Sequence, residues 1–228
     1  MAPDTHPTPH FVEELDQLKQ RLLTMGLLVE DRIRLVIQAL IDGDASLTKR
    51  VIDGDGEINQ FQVEIDDRAL KLLALHQPMA VDLRSILAGV KINTDLERVG
   101  DLAVNIAEAT QRYLSHPPVT RMLGDIPRMA ECAQAMLRDA LNSYVSGNAA
   151  TAQSVLDRDD ALDDLNMKVF RKLLGSMLGD AQTITPALNL ILIARHLERV
   201  GDHATNIAED VIFIVAARDV RHIADARR

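Results

Sequence analysis

Aromatic residues are scarce in this chain of 228 residues, which has no Trp, two Tyr and four Phe. Leu, Ile, Val, Ala and Met therefore supply most of the 47% of residues that are hydrophobic. This makeup favours packed helices over a β sandwich, and it is sufficient for a sizeable core. No segment shows the alternation and turn residues of a strand-rich domain. The expected fold class is therefore all-α.

Cysteine is almost absent as well. Cys132 is the only one, which excludes a disulfide within the chain and a zinc site built from several thiolates. The first ten residues, MAPDTHPTPH, lack the basic and apolar regions of a signal peptide. The longest apolar runs, such as residues 211–217, are much shorter than the roughly 18 residues of a membrane-spanning helix. We therefore expect a cytoplasmic protein without a membrane segment of its own.

Basic residues are fewer than acidic ones: the chain has 25 Lys and Arg residues and 34 Asp and Glu residues, which gives a formal net charge of −9. A general nucleic-acid-binding protein needs a basic surface for the phosphates, so that class is disfavoured. We also find no glycine-rich phosphate loop, no HExxH motif, no nucleophile elbow and no Glu-x-x-His pair of a di-iron bundle. We therefore expect no enzyme and no catalytic residues; the acidic balance suits a protein that holds cations, or simply a soluble one.

Proline placement divides the chain into helical segments. A helix tolerates Pro in its first turn but not in its interior, and the prolines here lie in the leader or between and at the starts of long periodic segments. The first segment carries apolar residues at heptad-like spacing, which predicts an amphipathic helix: Phe11, Leu15, Leu18, Leu22, Met25, Val29, Val36 and Leu40. Five further helices are predicted at about residues 45–76, 79–113, 126–145, 149–178 and 184–217.

A polar string occurs twice. LERVGDLAVNIAE spans residues 96–108 and LERVGDHATNIAE spans residues 197–209, so that eleven of thirteen letters match at an offset of 101 residues. Together with the six predicted helices, this internal repeat predicts two tandem three-helix bundles lying side by side. The expected domains are residues 10–115 and 120–217, followed by a short basic tail over residues 218–228.

The repeated string places oxygen-bearing side chains on one face of a helix. At 100° per residue, Asp101 and Asn105 fall about 40° and 80° from Glu97. The second copy repeats this pattern with Glu198, Asp202 and Asn206. Two acids four residues apart repel each other by about 0.2–0.5 kcal/mol, and a bound cation reverses that sign. Since carboxylate and amide oxygens suit hard ions, the string predicts a site for a divalent or trivalent cation such as magnesium, calcium, manganese or iron.

Each string also has a glycine in the middle of a predicted helix, Gly100 or Gly201, which costs about 1 kcal/mol relative to Ala. The close approach of a neighbouring helix or of a metal cluster would each explain it. The alternative to a metal site is a solvated face, on which the arginine of each string pairs with the aspartate three residues later. Because the string persists while the rest of the repeat has diverged, we favour the metal site.

The second helix of each repeat offers further oxygen ligands. Aligning the repeats places Asp55 on Asp159 and Asn59 on Asp163. Such pairs on a neighbouring helix could surround an ion or a small cluster together with the repeated string. We expect packing or surface roles for two histidines that lie off the acidic face, His196 and His203.

With these motifs the sequence resembles the PhoU family. The resemblance covers about residues 11–222 and is carried by HQPMAVDLR, TDLERVGDLAVNIAE and ARHLERVGDHATNIAEDVIFIV, at residues 76–84, 94–108 and 194–215. The family hallmark, a paired E/D-x-x-x-D motif, is matched by Glu97/Asp101, Glu198/Asp202 and Asp159/Asp163. In the fourth pair the second residue is the amide of Asn59, which argues against equal metal loading of the two bundles.

The resemblance implies two three-helix bundles with metal ions or multinuclear clusters on the motif helices. It also implies a regulatory adaptor that connects the ATPase subunit of the Pst phosphate transporter with a sensor histidine kinase. Such an adaptor keeps the phosphate-starvation regulon off when phosphate is plentiful. A homodimer or higher homo-oligomer, and membrane association only through partners, are further implications.

Two other interpretations stay open. One is a structural helical scaffold without metal, and the other is a metal-dependent hydrolase of phosphate esters, because clustered cations can activate water. Asp82 and Arg84 have no counterparts in the second repeat. They form either a docking or phosphate-sensitive point or an ion pair at a helix start, and we favour the ion pair.

Overall fold

The structure is a computed structural model that describes residues 9–116 and 123–216. The α helices in these ranges are α1 (Pro9–Asp42), α2 (Ala45–Asp53), α3 (Asp55–His76), α4 (Ala80–Leu114), α5 (Ile126–Ser146), α6 (Ala149–Gly179) and α7 (Ile184–Ala216). They confirm the all-α fold and the six predicted segments, the second of which is divided at Gly54 into α2 and α3. No helix among the described residues is long and apolar enough to cross a membrane.

The turns that follow α1 and α5 use the same chemistry. Gly43 and Gly147 adopt positive φ angles of 74° and 63°, a region that most residues with side chains disfavour. The next residue, Asp44 or Asn148, caps the following helix by accepting a hydrogen bond from the backbone N–H two residues on. Gly147 and Asn148 lie 104 positions after Gly43 and Asp44, respectively. The first two helical segments of one repeat are therefore equivalent to the first two of the other.

The predicted apolar stripes form the core. All eight residues of the stripe on α1 are buried. The inner faces of α3 and α6 are buried as well, at Ile58, Ile65, Ala69, Leu72, Leu162, Val169 and Leu173. Phe61 of α3 is only partly buried, and its ring centre lies 5.0 Å from the guanidinium carbon of Arg21.

Two three-helix bundles lie side by side, as the repeat predicts. α1 packs with α2, α3 and α4, whereas α5 packs with α6 and α7. The bundles meet where α4 contacts α7 and α1 contacts α5. α4 and α7 are antiparallel, because Lys91 contacts Asp210 while Arg112 contacts Asn189. The domain limits stay predictions, and the predicted basic tail over residues 218–228 lies outside the described residues.

The division of the second segment at Gly54 is a feature of the first bundle alone. The buried Arg32 guanidinium donates to the carbonyl oxygens of Val51 and Gly54 over 2.9 and 2.8 Å. A Cβ atom at position 54 would lie 2.1 Å from Nη1 of Arg32. In the second bundle the equivalent residues are Met136 and Arg158, and α6 is continuous. The predicted helical segment over residues 45–76 is therefore present but interrupted at Gly54, where the buried Arg32 side chain binds the backbone carbonyls.

Candidate metal centres

The repeated strings lie in the middle of α4 and α7, and their glycines face a neighbouring helix. A Cβ atom on Gly100 would lie 2.8 Å from Cδ1 of Ile58 on α3. A Cβ atom on Gly201 would lie 2.4 Å from Cδ2 of Leu162 on α6, the residue equivalent to Ile58. Of the two explanations for these glycines, the close approach of a helix is the one observed. This packing also brings the acids of α3 close to those of α4, and the acids of α6 close to those of α7.

The first acidic centre combines side chains of α3 and α4. Burial raises the pKa of Glu97, and the carboxylates of Asp101 and Asp55 raise it further. The side chain of Glu97 is 16% exposed, and its Oε2 atom is buried without a hydrogen-bond partner. Arg98 opposes this effect and lies 3.2 Å from Asp101, as the solvated-face alternative expects. Asn59 donates to Asp55 over 3.1 Å, so the amide is already engaged.

The second acidic centre combines side chains of α6 and α7 and holds more negative charge. Burial raises the pKa of Glu198, and three acids raise it further: Asp202, Asp163 and Asp159. The pKa of Asp202 is also raised, by partial burial and by Asp163. Asp163 occupies the position that Asn59 has in the first bundle. The other three predicted acids of this bundle therefore all lie within electrostatic range of Glu198.

The chemistry of both centres fits a hard cation. Their donors are carboxylate oxygens, which magnesium, calcium and manganese prefer. The buried Oε2 atom of Glu97 accepts no hydrogen bond, although Nε of Arg98 lies 3.5 Å from it. In their present rotamers, however, no three His, Cys, Asp or Glu side chains among the described residues are grouped closely enough to hold an ion. Binding therefore requires side-chain rotation, and the ion would relieve the repulsion that raises the pKa values of Glu97 and Glu198.

The asparagines of the two strings, Asn105 and Asn206, differ in their surroundings. Asn105 is exposed on α4. Asn206 donates to Asp95 of α4 over 3.3 Å and lines a cavity of about 330 Å³ between α4 and α7. The structure thus turns Asn206 towards the other bundle, and its role as a ligand stays a prediction.

A contact that the sequence interpretation missed joins the bundles. Nδ1 of His203 on α7 lies 2.8 Å from Oδ1 of Asp95 on α4. His203 also acts electrostatically on Glu97 of one centre and on Asp202 of the other, lowering the pKa of both carboxyls. One acid of each centre therefore lies within electrostatic range of His203, at the contact between α4 and α7. The only sequence signal was that His203 replaces Leu102 of the first repeat.

Asp82 and Arg84 occupy the first turns of α4. We find no ion pair between them, although both belong to the described part of the chain, so the favoured helix-start pair is wrong. Asp82 lies in the first turn, where a carboxylate is favoured by the helix dipole. Nε of Arg84 is buried without a hydrogen-bond partner. The alternative, a docking or phosphate-sensitive point, stays a prediction.

Comparison with known sequences identifies a common family. The family model described as "PhoU domain" matches residues 22–110 and 126–211, one match in each bundle. The phosphate-specific transport system accessory protein PhoU homolog of Caulobacter vibrioides is 37% identical over 215 residues, which covers 94% of both chains. The homolog of Pseudomonas aeruginosa is 37% identical over 222 residues, covering 97% of this chain and 92% of its own.

Solved structures share the same architecture. The crystal structure of PhoU from Pseudomonas aeruginosa has a TM-score of 0.85 at 36% identity, and the alignment covers 91% of this chain and all of that one. The phosphate transport system regulatory protein PhoU from Streptococcus pneumoniae has a TM-score of 0.84 at 28% identity, with 92% and 99% of the two chains covered. The similarity therefore extends over both bundles.

Proposed function

The chain belongs to the PhoU family, and we propose that it is a cytoplasmic, metal-binding adaptor that regulates phosphate uptake. Its relatives are named as accessory proteins of the phosphate-specific transport system, which supports a role in the regulation of phosphate transport. In the proposed role the chain, as a homodimer or higher oligomer, connects the ATPase subunit of the Pst transporter with a sensor histidine kinase. It thereby represses the phosphate-starvation regulon when phosphate is plentiful.

The observation that carries this proposal is the pair of equivalent acidic centres in a molecule that matches PhoU proteins over nearly its whole length. Glu97 and Glu198 are held in equivalent places beside acids of a second helix. Their mutual repulsion is unfavourable for the protein alone and is relieved by a cation. A purely structural scaffold would gain nothing from this arrangement. The centres thus favour a protein whose surface charge depends on bound ions.

The metal part of the proposal is tested by elemental analysis of protein purified without chelator. The variant Glu97→Ala/Asp101→Ala/Glu198→Ala/Asp202→Ala removes the first two acids of each string. The control variant removes four exposed acids outside the centres, at Glu13, Asp16, Asp42 and Glu131. We expect near-integral iron, manganese, calcium or magnesium in the parent and in the control, and loss of the metal in the first variant. Equal metal content in all three proteins would contradict the assignment of ligands.

The adaptor part is tested by retention of the purified transporter ATPase subunit on the immobilised protein. We expect retention under phosphate-replete conditions, and weaker retention by the variant in which the first two acids of each string are Ala. An unchanged signal with that variant would favour the scaffold alternative. Turnover of a phosphate ester by the metal-loaded protein would instead favour the hydrolase alternative.

A further inference from the structure

Two histidines converge on one carboxylate at one end of the first bundle. His10 lies in the first turn of α1, and His76 is the last residue of α3. Nε2 of His76 lies 2.7 Å from Oε2 of Glu14, and Nε2 of His10 lies 3.6 Å from Oε1 of the same carboxylate. The two imidazole rings are 6.0 Å apart, centre to centre, with an angle of 69° between their planes. We refer to these three residues as the His10–Glu14–His76 cluster.

The packing of α1 against α3 holds the cluster in place. His10 and Glu14 are four residues apart on α1, so their side chains share one face of that helix. The side chain of His76 is 19% exposed, and the centre of its ring lies 5.1 Å from that of the buried Phe11 ring. Glu14 is partly buried as well, whereas the side chain of His10 is 72% exposed. Two members of the cluster are therefore positioned by packing, and the third has room to adjust.

The distances within the cluster are close to those of a zinc site. Zn–N and Zn–O bonds of about 2.0–2.2 Å at tetrahedral angles place the ligand atoms about 3.3 Å from one another. The two nitrogen–oxygen distances in the cluster, 2.7 and 3.6 Å, lie on either side of that value. The same bond lengths separate two ring centres by about 5 Å, whereas 6.0 Å is observed. Side-chain shifts of about 1 Å would therefore give Zn²⁺ its normal bond lengths.

Binding exchanges a hydrogen bond for a metal ion. In their present rotamers no three His, Cys, Asp or Glu side chains of the described ranges enclose an ion, because Glu14 is in hydrogen-bonding contact with His76. Zn²⁺ would replace the proton between these two side chains, with both histidines neutral and protonated on Nδ1. The exposed His10 ring then closes on the ion. A cavity of about 290 Å³ beside Glu14, lined also by Gln17, admits water to complete the coordination.

The cluster lies outside the segments that the family model matches. The first match begins at residue 22 and therefore includes neither His10 nor Glu14. The second bundle has no equivalent of this part of α1, since α5 begins at Ile126, which corresponds to Leu22 at the offset of 104 residues between the turns. The requirements of the common fold therefore do not account for the cluster.

The cluster is also distinct from the acidic centres in position and in chemistry. Asp55 and His76 are the first and last residues of α3, about 30 Å apart. The acidic centres offer oxygen donors, which suit hard ions, whereas imidazole nitrogen suits Zn²⁺ and related first-row metals. A hydrogen-bonded pair alone would account for Glu14 and His76. It would not need the second imidazole, whose contact of 3.6 Å is too long for a hydrogen bond.

We propose that His10, Glu14 and His76 form a zinc site that ties the start of α1 to the end of α3. His76 is followed at once by the turn into α4, in which Gln77 and Ala80 have positive φ angles of 46° and 47°. Residues with side chains disfavour this conformation, and a metal cross-link beside the turn would hold it in place. The proposal goes beyond the adaptor function and does not depend on it.

The test measures Zn²⁺ binding to the full chain, freed of any affinity tag, by competition with a chromophoric zinc chelator. The buffer contains an excess of Mg²⁺, which occupies oxygen-ligand sites but competes poorly for imidazole nitrogen. The parent is compared with the variant Glu97→Ala/Asp101→Ala/Glu198→Ala/Asp202→Ala, which lacks the first two acids of each string. We expect both proteins to bind one Zn²⁺ ion per chain with the same affinity.

Matched variants locate the site. His10→Ala removes an exposed side chain, so it should leave the helix content in circular dichroism unchanged. It should weaken Zn²⁺ binding at least about tenfold, the lower end of what even outer-shell partners contribute. Glu14→Gln can still accept a hydrogen bond from His76 and should weaken binding by a similar factor, because an amide is a poorer ligand for Zn²⁺. His116→Ala, just beyond α4, is the control and should leave the affinity unchanged.

Cobalt and thermal unfolding give two further measurements. Co²⁺ in place of Zn²⁺ should produce the intense visible absorption of a four-coordinate site in the parent and not in His10→Ala. Zn²⁺ should raise the Tm of the parent and of His116→Ala, because it binds the folded state, and it should leave the Tm of His10→Ala unchanged.

Three outcomes would overturn the proposal: the same Zn²⁺ affinity in His10→Ala as in the parent, an equal loss in His116→Ala, or binding that excess Mg²⁺ abolishes. The third would assign the Zn²⁺ to the acidic centres. If Zn²⁺ binding fails while the elemental analysis and the retention of the transporter ATPase subunit succeed, only this inference fails. If the variant without the first two acids of each string binds Zn²⁺ while those two tests fail, the zinc site stands and the proposed function fails.

Discussion

Neutralising one glutamate in each acidic centre should stabilise the protein when no metal is present. The variant Glu97→Gln/Glu198→Gln keeps the size and shape of both side chains and removes their charge. In the parent, Glu97 is repelled by two acids and Glu198 by three. Since a like-charge neighbour costs about 0.2–0.5 kcal/mol, the five pairs together destabilise the fold by about 1–2 kcal/mol. For a chain of this length that corresponds to a rise in Tm of about 2–8 °C in the variant.

The assay is thermal unfolding in chelator, followed by circular dichroism at several pH values. Both glutamates have a pKa raised above 4.5 in the folded protein. Above that value the folded state therefore binds more protons than the unfolded state, and the stability of the parent falls as the pH rises. The advantage of the variant should be largest at neutral pH and should shrink as the pH falls through the raised pKa values, because the parent then protonates the same groups.

The control is Glu108→Gln, which removes an acid of the same string whose carboxylate lies 3.6 Å from Nη1 of Arg112. Losing this exposed ion pair should change the free energy of unfolding by less than about 1 kcal/mol, and not in the stabilising direction. A lower Tm of the double variant in chelator, or a difference from the parent that does not depend on pH, would refute the reasoning. Adding the metal found by elemental analysis should stabilise the parent and leave the variant unchanged.

Three further predictions concern a helix contact, a helix break and a helix cap. Gly201→Val should destabilise the protein by about 1–3 kcal/mol in urea unfolding, because its side chain would overlap Leu162, whereas Gly175→Ala, with open space around its Cβ position, should stabilise it by up to about 1 kcal/mol. Arg32→Met should cost about 2–4 kcal/mol in the same assay, because it leaves two backbone carbonyls at the break after α2 without a donor; no loss would show that water replaces the guanidinium. Asn148→Ala should cost about 1 kcal/mol through loss of the cap of α6, and Asn142→Ala, an exposed change within α5, serves as its control.

The arrangement of helices could be predicted because local signals agree with it. The apolar stripe of α1 is buried in full, and the turn glycines stand where the sequence pattern ends each helix. The division at Gly54 could not be predicted in this way. It depends on Arg32, which lies one helix earlier and reaches the carbonyls only once α1 and α2 are packed together.

The acidic centres were partly predictable for the same reason. The spacing within one helix places Glu97 near Asp101, and the repeat places Asp163 in register with Asn59. Contacts between the bundles are different, because they depend on where α4 and α7 cross. His203 lies in the second string and Asp95 directly precedes the first, and nothing in either stretch indicates that the two residues meet. A solvent-exposed role was therefore a reasonable expectation for this histidine, and the structure assigns it to the contact between the repeats.

The antiparallel packing of α4 against α7 also sets the distance between two hairpins of the molecule. The hairpin between α3 and α4 lies at one pole of the molecule and the hairpin between α6 and α7 at the other, since each helix begins at the opposite end of the shared line of contact. At 1.5 Å per residue the two poles are about 50 Å apart. Proteins held at the two poles would not compete for space, and the helices between them would keep their separation constant. The candidate metal centres around Glu97 and Glu198 lie about halfway along α4 and α7, so they are about equally far from the two poles.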